Sequence, residues 1–147
     1  MNIRTSIAAA GAVALLGAGA VVVPAVASAS SATHTLKFIS VTKKSIMFTK
    51  TTGAQQDTDV NAAGKTVGFD MLYFAATSAT SGAVNITGDL NGGFLYGTGT
   101  INFKTGAFTN GKVTGGTGAF AGATGTIKAK PLNASGTRTA VTIVYST

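Results

Sequence analysis

The chain contains no cysteine, no glutamate and no tryptophan, and it carries a single histidine. Without cysteine there can be no disulfide, thiolate nucleophile or sulfur metal site. A Ser-His-Asp triad or an imidazole metal site would have to use His34, which stands in "SATHTL" close to the start of the mature chain, where chains are commonly poorly ordered. His34 therefore reads as an exposed residue where a strand begins. The acids are equally few: Asp57, Asp59, Asp70 and Asp89 are the whole set. This residue inventory calls for neither a metal nor a cofactor.

Positive charge is in excess, with 11 Lys and Arg and a formal net charge of +7. Such a balance can favour acidic partners, but the cations are spread along the chain and only Lys43 and Lys44 adjoin. With no basic block, no tryptophan and one arginine beyond Arg4, the composition does not describe a nucleic-acid-binding protein. Solubility of a sparsely charged domain accounts for the excess.

What the chain does have begins with "MNIRTSIAAAGAVALLGAGAVVVPAVASAS". One cation precedes an uncharged apolar run and then small residues in A-x-A order, the layout of a secretory signal peptide. Residues 1–29 are read as that signal, cut after Ala27 or Ala29. The expected product is a secreted, extracellular domain over residues 30–147, with no stable membrane insertion after cleavage. Removing Arg4 takes the formal +7 to +6.

Beyond the signal the text is rich in Thr, Gly and β-branched or aromatic residues. "THTLKFISV" (Thr33 to Val41) alternates with period two, and "KSIMFTK" predicts a second strand from Lys44 to Lys50. "TTGAQQDTDVNAAGK", Thr51 to Lys65, is polar and reads as the one long loop. "TVGFDMLYFAAT", "VNITGDL", "FLYGTGTINF", "FTNGKVTG", "FAGATGTIKAK" and "TRTAVTIVYST" follow as strands. Asn91-Gly92 predicts a tight hairpin, because both residues accept positive φ angles, and "KTGA" at Lys104 to Ala107 predicts another reversal. About eight closely spaced strands argue an antiparallel barrel or sandwich. Glycines within strand patterns, at Gly97, Gly99, Gly118, Gly122 and Gly125, favour the barrel, whose closure requires bends.

"VTGGTGAFAGATGTI", Val113 to Ile127, invites a nucleotide-binding interpretation because Gly116 to Ala121 fits G-x-G-x-x-G/A. That motif works where a strand meets a helix and an acid follows about twenty residues on. Here the sequel is strand-like, and no acid follows Asp89. "GKT" at Gly64 to Thr66 imitates a phosphate loop, yet Asp59 stands where the required glycine should be.

The same stretch resembles the "VTGGTGxFxGAxG" signature of the allene oxide cyclase and dirigent families. "GKTVGFDMLYF" and "DLNGGFLYGTGTINF" are similar to strands and a hairpin that precede it there, so the resemblance spans roughly Gly64 to Tyr145. It implies an eight-stranded antiparallel β-barrel, a trimeric homo-oligomer, and an apolar cavity open at one end. It also implies a small hydrophobic ligand whose stereoselective cyclisation or coupling the cavity guides, an isomerase-like activity if the protein is an enzyme. The cyclases use a glutamate near the end of the first strand; here that region reads "LKFISV". Dirigent sites use cavity aspartates, and Asp70 and Asp89 are the two acids inside predicted strands. Phe69, Tyr73, Phe94, Tyr96 and Phe120 are the aromatics expected to line or cap the cavity. Parity places Phe69 and Tyr73 on one face and Asp70 and Phe74 on the other, without saying which is inside. The alternative reading is a non-catalytic extracellular structural or surface barrel whose interior is packed by side chains.

Overall fold

The structure, a computed structural model, describes residues 32–147. The segment read as a signal peptide lies outside the described residues. Eight strands follow in order: β1 (Thr33–Met47), β2 (Thr52–Val60), β3 (Thr66–Ala76), β4 (Ser81–Leu90), β5 (Gly93–Asn102), β6 (Phe108–Gly116), β7 (Thr124–Pro131) and β8 (Arg138–Ser146). Each pairs antiparallel with its neighbour, and β8 returns to β1, so the sheet closes into a barrel. Closure satisfies both edges of every strand, which suits a domain with no disulfide to hold it. Eight strands leave an interior that side chains can just fill or that can hold one small ligand.

The expected barrel is present, but its strands are divided differently from the sequence pattern. The two runs predicted on either side of Val41 and Lys44 form one strand, β1, bent at a bulge between Thr42 and Lys44. The predicted long loop, Thr51 to Lys65, is instead mostly β2, paired with β1 and β3 along its length. Its period-two pattern is real, but the inward set is Gly53, Gln55, Asp57 and Asp59, so no hydrophobic alternation marks it. Only Asn61 to Lys65 turns, and there Asn61 Oδ1 accepts from the amides of Ala63 and Lys65, both at 3.0 Å. The predicted hairpin at Asn91-Gly92 is present as a two-residue connection between Leu90 and Gly93.

The barrel has two unlike ends. At one, the start of β1 and the end of β8 meet the β4–β5 hairpin and the β6–β7 connection. A single 3-10 turn, Gly118–Phe120, occupies the middle of the glycine-rich stretch, where the pattern predicts the start of a strand. Phe120 turns inward and is 3% exposed. It packs edge-to-face on Tyr145 at 5.5 Å between ring centroids, within a core that includes Phe38, Leu95, Val113, Ala123, Ile127 and Ile143. Burying each large apolar side chain contributes about 1.5–3 kcal/mol. The turn is pinned to the hairpin by the amide of Ala119, which donates to the Gly92 carbonyl at 2.8 Å, and that of Thr117, which donates to the Phe94 carbonyl at 2.8 Å. Gly118 has φ +58°, and a Cβ there would collide with the Gly92 carbonyl oxygen; the two backbones can touch only without a side chain. The other end, formed by the β1–β2, β3–β4, β5–β6 and β7–β8 turns, is not plugged.

Candidate functional site

Behind that unplugged end lies a cavity of about 630 Å³. Its walls are the inward residues of the strands, including Phe38, Leu72, Phe74, Val84, Ile86, Leu95, Ile127 and Ile143, and Phe103 and Gly106 stand at the turns of the mouth. Polar groups are concentrated on β1, β2 and β3, where Ser40, Gln55, Asp57 and Asp70 line the wall. The parity that separates the two faces of β3 is thereby settled. Asp70, Leu72 and Phe74 point in, whereas Phe69, Met71 and Tyr73 are exposed on the outside.

Register explains why the acids meet. Asp57 and Asp70 are directly opposed on adjacent strands, and Ser40 pairs with Asp59 across β1 and β2; all four point inward. Asp57, Asp59 and Asp70 are 3%, 0% and 9% exposed, so three of the protein's four acids sit inside a mostly apolar barrel. Ser40 Oγ lies 2.7 Å from Asp57 Oδ2 and 3.1 Å from Asp70 Oδ2, and its single proton serves one of them at a time. Gln55 Nε2 donates to Asp57 Oδ2 at 2.9 Å and to Thr42 Oγ1 at 3.0 Å. No cation is among these partners.

Burial of charge is expensive where no counter-ion compensates it, and the cluster responds by holding protons. Burial pushes the Asp70 carboxyl up to about 8, reinforced by the charges of Asp59 and Asp57, against a smaller opposing effect of the Ser40 hydroxyl. Asp59 is raised to about 6, first by burial; its hydrogen bond with Asp70 opposes the rise, and the charge of Asp57 adds to it. At neutral pH the proton therefore resides on Asp70, which donates to Asp59. A carboxylic acid at the wall of an apolar cavity can donate a proton or a strong hydrogen bond to a bound molecule, which few side chains can do at that pH. Asp57 Oδ1 has no hydrogen-bond partner, and Asp70 Oδ1 and both oxygens of Asp59 have none other than the proton those two acids share. Among the described residues, no group of three or more His, Cys, Asp or Glu is placed to hold a metal ion.

Of the residues singled out from sequence, Asp70 lies at the cavity wall. Asp89 faces outward beside the β4–β5 hairpin, away from the other three acids. Phe69, Tyr73, Phe94 and Tyr96 lie on the outer surface, between 38% and 49% exposed, and do not line the cavity. Phe120 points inward but belongs to the packed end and closes the barrel floor instead of lining the cavity. The aromatic walls are Phe38, Phe74, Phe103 and Phe108, selected by strand parity and by the glycines opposite them: a Cβ on Gly99 would strike the Phe108 ring. His34 is exposed at the start of β1 and stacks on Tyr145 at 5.2 Å. Asp57 and Asp59 are missing from the sequence-based candidates because β2 reads as loop, and Ser40, on β1, gains a role only through the acids it meets on β2 and β3. The available signal was the Gln-x-Asp-x-Asp spacing, which places three polar side chains on one face of an extended strand.

Comparison with known proteins supports the architecture. A solved structure of pyocyanin demethylase superposes with a TM-score of 0.63 at 18% sequence identity, covering 76% of this chain and 99% of that one. No protein-family model matches the sequence, and no curated protein matches it either. At that identity the likeness is one of fold: the chain is an eight-stranded antiparallel barrel of the kind found in pyocyanin demethylase.

Proposed function

We propose that this protein is exported from a bacterial cell, admits a small, largely apolar molecule through the open end of the barrel, and holds it against the protonated Asp70. The observation that carries the proposal is the apolar cavity of about 630 Å³ with a buried carboxylic acid in its wall. That volume lies in the range of small-molecule sites, which are mostly apolar with a few placed polar groups. In the catalytic form of this reading, the walls select one folded conformer of a reactive ligand. Asp70 donates its proton or a hydrogen bond to the oxygen or unsaturated centre where charge develops, and ring closure or coupling then proceeds from a single face. Orientation supplies much of the rate in such chemistry; the conjugate carboxylate at Asp59 takes a share of the proton while the ligand is absent.

The name of the structurally similar barrel, a demethylase of pyocyanin, is consistent with small-molecule chemistry in this fold. The packed-interior alternative finds less support, since Phe and Met side chains would have to fill the space that stands open between Phe74, Ile101 and Phe108. Assembly into a homo-oligomer belongs to the same reading. It is supported by the exposed row Phe69, Met71 and Tyr73 on β3, and by Phe94 and Tyr96 on β5 across the polar outer face of β4, large apolar side chains that a second copy would cover.

The test is to purify the protein from culture medium, identify its N-terminal residue, and extract it for mass spectrometry of co-purifying lipids and aromatics. A bound small molecule, or tight one-to-one uptake of an apolar fluorophore that is abolished by Ile101→Trp, is the expected result. A ligand-free protein that leaves apolar fluorophores unbound overturns the cavity reading.

A further inference from the structure

Charge is segregated between the inside and the outside of this barrel. The ten cations of residues 32–147 are met on the exterior by one acid, Asp89, because the other three are turned inward. Lys50, the one cation among the cavity-lining residues, stands exposed in the β1–β2 turn at the mouth. The interior therefore has carboxyl oxygens in excess of donors. Ser40 and Gln55 serve Asp57 Oδ2, Ser40 reaches Asp70 Oδ2, Asp57 Oδ1 has no hydrogen-bond partner, and the remaining three carboxyl oxygens have only the proton between Asp59 and Asp70. A buried acceptor without a donor costs about 1–3 kcal/mol and more when charged. These orphaned oxygens have no open surface, so they add to the negative character of the wall behind Asp57 and Asp70, the two carboxyls that line the cavity; a ligand cation there offsets that charge and a further acceptor adds to it.

We propose that the cavity selects a lipophilic amine: an apolar aromatic or aliphatic body against Phe38, Phe74 and Phe108, with one protonated nitrogen against Asp57 and Asp70. The inference rests on the cavity reading above and names its ligand class. The opposite polarity is disfavoured twice, since a ligand carboxylate would add an acceptor and a like charge to a wall that already holds Asp57 and Asp70, with Asp59 buried behind them. Selection for a cation must arise inside, because the exterior is positive and would repel it. The charged and titratable groups around Asp70 are Asp57 and Asp59 of β2; β1 offers the neutral Ser40 and β4 the neutral Gly88 opposite. Entry of an ammonium group accordingly displaces the proton held on Asp70, whose pKa burial has raised. No covalent step is involved: the nitrogen keeps its protons and the carboxyl proton leaves to solvent.

Three molecules with one body and different heads test this: 1-naphthylmethylamine, 1-naphthalenemethanol and 1-naphthoate, titrated by calorimetry into the full exported protein at pH 7. The expected order is amine over alcohol by at least tenfold, with naphthoate weakest. Amine binding should also release a proton, read from the dependence of the heat on buffer ionisation enthalpy. Asp57→Asn and Asp70→Asn should each reduce the amine-to-alcohol ratio, and Asp89→Asn, on the outside, should leave it unchanged. Because the ratio is measured first on the unaltered protein, a variant that fails to fold does not spare the proposal. Equal affinity for amine and alcohol, or tighter naphthoate binding, overturns it while leaving the cavity reading standing; no binding of any of the three overturns both.

Discussion

The two halves of the barrel interior differ in how they use the same strands. At the closed end, Phe120, Tyr145, Val113 and Ala123 fill the space, and the backbone of the glycine-rich turn is pressed against the β4–β5 hairpin. Toward the mouth the same eight strands enclose an open volume, with Asp57 and Asp70 on its wall and Asp59 buried behind them. Packing at one end stabilises the barrel and so allows hollowness and buried acid at the other. A site that is poor in stabilising contacts requires a scaffold that is rich in them elsewhere.

The contrast can be broken most forcefully at the plug. Phe120→Ala removes a buried ring from a filled core and should cost about 3–5 kcal/mol, read as a lower midpoint in urea or thermal unfolding. Small effects of that substitution would show that the closed end is not where stability resides.

Next in size is the pH response of the acid cluster. Asp59 and Asp70 have native pKa values of about 6 and about 8, both above the ordinary 3.8. Between those limits the native protein holds protons that the unfolded chain has released. Their stabilising contribution is therefore complete below about pH 3.8 and is lost progressively as pH rises through about 8. Thermal melts from pH 5 to pH 9 should show a falling midpoint, by a few kcal/mol in all, and Asp70→Asn should flatten most of that slope. A midpoint that rises over this interval would contradict the raised values.

Gly118→Ala, at φ +58° against the Gly92 carbonyl, should cost about 1–2 kcal/mol from the backbone conformation alone, with the contact adding to it. Its effect should be confined to stability, whereas Ile101→Trp, in the hollow half, should do the reverse. That substitution should abolish uptake of an apolar fluorophore with a stability change below about 1.5 kcal/mol, while Val113→Trp, in the filled half, should cost about 1–3 kcal/mol. The smallest change is expected outside: Tyr73→Ser should leave monomer stability within about 0.5 kcal/mol and lower the mass measured by light scattering if copies meet on that face.

The barrel was readable from the chain because hydrophobic alternation, turn residues and strand glycines all agreed on short antiparallel strands. β2 escaped because its inward side chains are Gly, Gln and Asp, and an alternation between two polar faces has no hydropathy signal. With it went two of the three clustered acids, leaving Asp70 as the one member visible in advance. The exposed aromatics Phe69, Tyr73, Phe94 and Tyr96 were natural cavity candidates by residue type. Parity offered two answers for β3, however, and large side chains standing outward on a barrel are ordinary, since much of any folded surface is apolar.

By itself the sequence determined what can be decided locally. It settled the periodicity of the strands with a hydrophobic face, the Asn91-Gly92 reversal and the absence of thiol chemistry. Tertiary structure decided which face of each strand is inside, and with it everything that concerns a site. Closing the sheet brings Ser40, Asp57, Asp59 and Asp70 from three strands to one wall, and only there do carboxyls that would each ionise freely in water come to share a proton. Inside and outside are properties of the closed surface, so no single strand carries them.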